Sequence, residues 1–303
     1  MNIQSLSIVV PTHGCMNQCK FCVSRMHKEE YKDLISDADF SLRNAYKNRM
    51  AFARDNGCNT VMLTGQGEPQ QNMAFIREFT QMNSELAMPF RNIEIQTTGT
   101  NMVFDTFKEL ATLGVTTVSL SVSCLMDNAT NAEVINKRHT PIDLGCLCGG
   151  IKNNGMNLRL SLNMTQWLFP NMINCCTYEP NPYPSHERIF DFCAKGCHAD
   201  QVTFRRMYTD GNTETPQSKW INENNIQPTD KWFKELNEYI VTHGRYLDTL
   251  EYGSKRYSVM GMSTVVDEDC MAKSEEKKAL KYLILRPNCK LYTQWDDKGS
   301  LLF

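Results

Sequence analysis

Apolar and polar positions along this chain follow two rhythms that take turns, one repeating every two residues and one near 3.6. Short runs rich in aliphatic and β-branched residues occupy 5–10, 60–65, 92–99, 116–122, 157–164 and 200–207, and these read as strands. Most are separated by longer stretches with the spacing of an amphipathic helix, such as LRNAYKNRMAFARDNG, AFIREFTQMNSEL, FDTFKELATLG and HERIFDFCAKG. Gly57, Gly114 and Gly196 stand where three of those helices should stop, each shortly before the next strand. Repeating βα units of roughly 30–40 residues predict a parallel sheet with helices on its outer face.

Within the strands, one side is polar. In LRLSLN, Arg159, Ser161 and Asn163 alternate with Leu158, Leu160 and Leu162. In SLSVS, Ser119, Ser121 and Ser123 oppose Leu120 and Val122, and in IEIQTT, Glu94, Gln96 and Thr98 oppose Ile93, Ile95 and Thr97. A closed parallel core reads as nearly continuous aliphatics. The helices need the apolar side, so the polar side predicts a wet lumen wide enough for a ligand, with chemistry at the carboxyl ends of the strands. The helical stretch TDKWFKELNEYIVTHG closes this region. Residues 246–303 follow with YLDTLEY, RYSVMGM, KYLILRP and KLYTQWD, short strands joined by a charged stretch. We read 1–245 as the main α/β body and 246–303 as a C-terminal α+β extension packing on it.

Composition narrows the class. With 303 residues and a hydrophobic fraction of 41%, the chain suits a globular α/β body plus an extension. No apolar run reaches the roughly 18 residues of a membrane span, and the amino-terminal stretch shows no secretory signal. The net charge of −2 gives no support for a broad basic surface, so a nucleic-acid partner is not favoured. Thirteen cysteines, an odd count, point to a reducing, cytoplasmic setting. Cys193, Cys197, Cys270 and Cys289 could form a second cluster, but their spacing matches no recognised pattern and buried free thiols are common.

The chemistry begins directly after the first strand. Cys15, Cys19 and Cys22 stand as C-x3-C-x2-C in GCMNQCKFC, with Phe21 just before the third cysteine. Three soft thiolates this close together can reach three irons of one [4Fe–4S] cube and leave the fourth without a protein ligand. A zinc knuckle with His13 as fourth ligand is the competing reading of this segment. One βα unit later, strand two ends in Gly65-Gln66-Gly67-Glu68-Pro69, where glycines let backbone approach a ligand closely.

On these residues the chain resembles the radical S-adenosylmethionine (SAM) superfamily, over roughly residues 5–207. The resemblance implies a partial (βα)6 parallel barrel and a [4Fe–4S] cluster on Cys15, Cys19 and Cys22. It implies that SAM sits on the open iron and is cleaved to a 5′-deoxyadenosyl radical, with electrons from a reductant such as flavodoxin or ferredoxin. It also implies SAM contacts at Phe21, at Gly65, Gly67 and Glu68 (the backbone edge and Glu68 accepting from the ammonium), and at Thr98 on strand three. Ser121 and Ser123 on strand four, and Arg159, Ser161 and Asn163 on strand five, match positions that hold ribose and carboxylate. Arg159 suits the carboxylate through paired hydrogen bonds.

The implied substrate is a small molecule, nucleotide or peptide. Without a cysteine-rich tail, peptides are slightly disfavoured. Arg205, Arg206, His139 and the loop 167–170 are further candidates for the mouth of the lumen. Two other readings compete. GQGEPQQN also resembles a string of the radical methyltransferases of RNA adenine, with Cys270 or Cys289 as methyl carrier. A non-enzymatic zinc or iron–sulfur binding module is the third.

Overall fold

A computed structural model describes residues 2–26, 42–135, 142–169, 185–209, 214–250, 253–267, 279–295 and 298–303. Strand β1 (Asn2–Val10) leads through the cysteine loop into a short helix, α1 (Val23–Met26). Helix α2 (Arg43–Asp55) precedes β2 (Thr60–Gly65), and α3 (Met73–Ser84) precedes β3 (Asn92–Thr97). Then come α4 (Phe104–Thr112), β4 (Thr117–Val122), α5 (Asn128–Ile135), α6 (Leu144–Asn153) and β5 (Asn157–Asn163). Helix α7 (His186–Asp191) leads to β6 (Gln201–Arg205), followed by α8 (Pro216–Asn224) and α9 (Lys231–His243). The carboxyl-terminal part adds β7 (Arg245–Thr249), β8 (Lys255–Val259), β9 (Met262–Asp267), β10 (Ala279–Leu285) and β11 (Leu291–Tyr292).

All eleven strands form one sheet, in the order β11-β10-β1-β2-β3-β4-β5-β6-β9-β8-β7. The six strands expected from the sequence run parallel in chain order. The extension lengthens that run at both edges: β10 pairs parallel with β1, and β9 pairs parallel with β6. The sheet therefore draws no line at residue 245. No ladder closes the sheet among the described residues, so it is an open, partial barrel. Yet Lys281 Nζ of β10 stands 3.6 Å from Asp267 Oδ1 of β9, which brings the two ends of the parallel run together.

The two faces divide as the alternation predicts. Leu6, Ile8, Val61, Leu63, Ile93, Ile95, Val118, Leu120, Leu158, Leu160, Val202 and Phe204 are buried in one core with α2, α3, α4, α6, α7 and α9. Burial of this apolar layer is the main stabilising term. In the cross-strand register, Ser119 stands beside Arg159 and Gln96, and Ser161 beside Ser121 and Thr203. Glu94, Ser119 and Ser161 are buried although they lie on the polar face. A flat sheet with one solvated face would expose them; a curled sheet does not.

Local chemistry sets several joints. Gly57 and Gly114 take φ of 89° and 81° after α2 and α4, a conformation that glycine adopts without a Cβ clash. Gly196 ends a π-helical turn, 192–196, without a left-handed backbone. Asn72 caps α3 by accepting the Phe75 N–H at 3.0 Å, and Asp143 caps α6 by accepting the Cys146 N–H at 2.9 Å.

Candidate functional site

The parallel strands share one carboxyl edge, and most of the motif residues gather there. Residues 11–22 follow β1, Glu68 follows β2, Thr98 follows β3, Ser123 follows β4, and Asn163 ends β5. The string after β2 stitches this edge together. Gln71 Oε1 accepts the backbone N–H of Glu68 at 3.1 Å and of Met16 at 3.3 Å, while its amide donates to Gly14 O. Asn72 Nδ2 donates to Pro11 O at 2.8 Å. The cysteine loop is thus held by side chains from the next strand's turn.

The glycines make that approach possible. A Cβ on Gly67 would stand 2.5 Å from Thr12 Oγ1 and 2.8 Å from Gly14 O; one on Gly65 would stand 2.9 Å from Val10 O. A larger residue would require the cysteine loop to move at Gly67 and the end of β1 to move at Gly65.

Glu68 is only 5% exposed, and its carboxylate accepts five donors. Oε1 receives Asn17 Nδ2 at 2.8 Å and the Thr98 hydroxyl at 2.9 Å. Oε2 receives Gln70 Nε2 at 3.0 Å, the Thr98 N–H at 3.1 Å and the Thr97 hydroxyl. A carboxylate offers about four lone-pair directions. In this structure the protein's own donors fill those directions.

Other site residues divide by depth. Ser121 lies beside Ser161 in register, and Asn163 Nδ2 donates to Ser123 Oγ at 2.9 Å, so these four cluster at the ends of β4 and β5. Arg159 does not join them. It sits near the start of β5, where it pairs with Glu94 Oε2 at 2.5 Å and donates to Gln201 Oε1 at 2.7 Å. Its alternation with Ser161 and Asn163 put it on the correct face, but two residues per pleat step carry it below the edge. Phe21 packs against Trp220 of α8, with ring centroids 5.9 Å apart, beside Met26, Met207 and Ile221. It anchors the loop's far end. Arg206 Nη2 donates to Gln227 Oε1 at 2.9 Å, and Lys20 Nζ stands 5.2 Å from the Trp167 ring. His139, Pro170 and Cys270 lie outside the described residues.

Sequence reasoning passed over Asn17, Gln70, Gln71, Asn72 and Thr97, which tie the site together. The signal was their density: GEPQQN and QTTGT are runs of amide and hydroxyl side chains beside a glycine-rich turn.

The three motif cysteines are free thiols close enough to influence one another electrostatically. Burial pushes all three above the usual thiol range. The Cys22 and Glu68 charges add to this at Cys19, while the Asn17 N–H counteracts it at Cys15. Three soft, half-buried donors on one loop fit an iron–sulfur cluster, whose binding would remove their protons. Thr12 Oγ1 and Asn17 Oδ1, on the same loop, are buried without a hydrogen-bond partner, which fits a bound molecule that carries donors. Among the described residues no three His, Cys, Asp or Glu side chains converge as ligands of one ion. A cube assigns each cysteine to a different iron and needs no such convergence; a zinc knuckle does.

The remaining described cysteines do not assemble around a second centre. Cys193 and Cys197 lie beside Cys148, whereas Cys289 lies beside Tyr46 and Arg49 in the helix-side core.

A parallel open barrel with a three-cysteine loop at the edge of its first strand defines the class. Residues 9–143 match the sequence model of the Radical SAM superfamily. The crystal structure of Streptococcus suis SuiB bound to precursor peptide SuiA superposes with a TM-score of 0.56 at 17% identity, covering 96% of this chain and 59% of that one. Native anSMEcpe with bound AdoMet gives 0.57 at 12% identity, covering 99% and 77%, and its form with AdoMet and Kp18Cys peptide gives 0.58 at 10%, with the same coverage. At these identities the likeness speaks to fold. The chain spans about three fifths of the length of SuiB. No curated protein sequence matches. No helix among the described residues is long and apolar enough to cross a membrane.

Proposed function

We propose that Cys15, Cys19 and Cys22 hold a [4Fe–4S] cluster whose open iron binds SAM, and that the enzyme uses the resulting radical on a substrate in the lumen. The observation that carries this reading is the cysteine loop itself. It is fastened by Glu68, Gln71 and Asn72 at the carboxyl edge of the sheet, on the rim of a polar inner face. When bound, the cluster and SAM supply reductive cleavage to methionine and a 5′-deoxyadenosyl radical.

The chain's own residues divide the remaining work. Three thiolates grip the cluster. The Gly65–Gly67 turn, with the unpartnered Asn17 Oδ1 and Thr12 Oγ1, would receive the amino acid end of SAM. Ser121, Ser123, Ser161 and Asn163 would take the ribose. The polar inner face, whose two edges meet at the Lys281–Asp267 contact, would hold the substrate near the rim. A flavodoxin- or ferredoxin-like donor supplies the electron in a cytoplasmic setting. Two of the fold's neighbours hold peptides, so a peptide is the first substrate class to test, before a nucleotide or another small molecule. Burial of Cys289 on the helix side weighs against its use as a methyl carrier facing the lumen.

Cys15→Ala, Cys19→Ala and Cys22→Ala each test the reading. After anaerobic reconstitution, each variant is expected to lose the brown cluster absorbance and the formation of 5′-deoxyadenosine from SAM. Cleavage at the normal rate by an iron-free variant would overturn the assignment.

A further inference from the structure

We infer that Asn17 is a positioning residue, latching the three-cysteine loop onto the buried carboxylate of Glu68 and thereby fixing the Cys15 sulfur. The inference deepens the proposed reading of the cysteines as cluster ligands and rests on it for its consequence, but not for its geometry.

Asn17 lies between the first two cysteines and is 1% exposed. Both hydrogens of its side-chain amide are used, one to Glu68 Oε1 at 2.8 Å and one to Thr98 Oγ1 at 2.9 Å. Its backbone N–H donates to Cys15 Sγ at 3.3 Å. One residue therefore links a cysteine sulfur to the ends of β2 and β3. The anchor is rigid, since Glu68 is also gripped by Gln70, Thr97 and Thr98, and Thr98 Oγ1 lies 3.0 Å from Thr100 Oγ1. Hydrogen bonds to an ionised acceptor are stronger and shorter than neutral ones, which suits a latch. If the amide let go, the N–H on the same residue would lose its aim at Cys15. Hydrogen bonds to the cysteine sulfurs of a cluster are among the terms that set its reduction potential. Asn17 would so tune the cluster without ligating it.

Hydrogen exchange on the iron-free protein tests the latch directly. Met16, Gln18 and Lys20 all donate backbone hydrogen bonds, to Gln71, Ile135 and Val134, so their exchange reports loop opening. Asn17→Ala removes one charge-assisted and one neutral hydrogen bond, and is expected to speed exchange at these three amides by at least about tenfold, and to leave β4–β6 unchanged. Thr98→Val removes the second anchor at nearly constant volume and should act in the same direction. Thr98→Ser keeps the hydroxyl and should behave as wild type. After reconstitution, Asn17→Ala should shift the cluster's reduction potential and electron paramagnetic resonance spectrum, and Thr98→Ser should not. Unchanged loop exchange in both Asn17→Ala and Thr98→Val would overturn the latch, as would Thr98→Ser loosening the loop as much as Thr98→Val. A wild-type protein that takes up no cluster would defeat the proposed function, while the exchange comparison would still judge the latch.

Discussion

Gly67 carries the site's steric demand on the cysteine loop, because the atoms its Cβ would strike belong to that loop, one of them backbone. Gly67→Ala is expected to cost about 1–3 kcal/mol in chemical denaturation, the usual penalty of overpacking, and to lower iron uptake further than stability alone explains. Wild-type iron content in a folded Gly67→Ala protein would show that the loop can move freely. Protons compete for the same site. The three thiols are pushed up by burial, and ligation requires thiolates, so cluster uptake should strengthen as pH rises from about 7 to 9 and weaken below. Iron uptake independent of pH over that span would contradict the burial argument. At this scale the sequence was legible where chemistry forces spacing, as in the cysteines and the Gly65–Glu68 turn. It misled on the depth of Arg159. A polar residue on the correct face says nothing of its depth along the strand, and Arg159 found Glu94 below the rim. The protein partners of Glu68 were not legible, because they come from turns distant in sequence, Asn17 and Thr97–Thr98.

Elements were legible when their periodicity was strong. The six core strands and helices α2, α3, α4 and α9 follow the alternation and the amphipathic spacing within a few residues. Helices α5 and α6 passed unnoticed because NATNAEVI and LGCLCGGIKN are rich in residues of low helix propensity. Glycine in α6 has a packing purpose. A Cβ on Gly150 would stand 2.4 Å from the ring of Phe107 on α4, so the two helices approach through that gap. Gly150→Ala would gain about 1 kcal/mol of helix propensity and lose more through overpacking. A net destabilisation of about 1 kcal/mol is expected, relieved when Phe107→Leu is added. A stabilised Gly150→Ala protein would show that Phe107 yields without cost. Of the tail strands, β10 falls within the expected run KYLILRP, whereas β9 was passed over, and the parallel pairing of both, with β1 and β6, was not legible. Pairing between strands far apart in sequence depends on edges that only the folded sheet provides.

For the whole molecule, the consequence is that the first strand of the barrel is completed by one of the last. Because β10 covers β1, and β1 leads into the cysteine loop, the tail and the site should unfold together. Calorimetry is expected to give a single cooperative transition; a separate melting of the tail would contradict this. Lys281 and Asp267 join the ends of the parallel run and are largely enclosed, so Lys281→Ala should cost about 1 kcal/mol, near the upper end for partly exposed ion pairs. Both expectations concern the frame. The central claim concerns what the frame holds: a three-thiol cluster with one iron left for SAM. Electron–nuclear double resonance on the reduced, reconstituted protein, loaded with SAM labelled by nitrogen-15 at its amino group, tests it most directly. A hyperfine coupling between the cluster and that nitrogen is the predicted result. An intact cluster, saturated with SAM and showing no such coupling, would contradict the account.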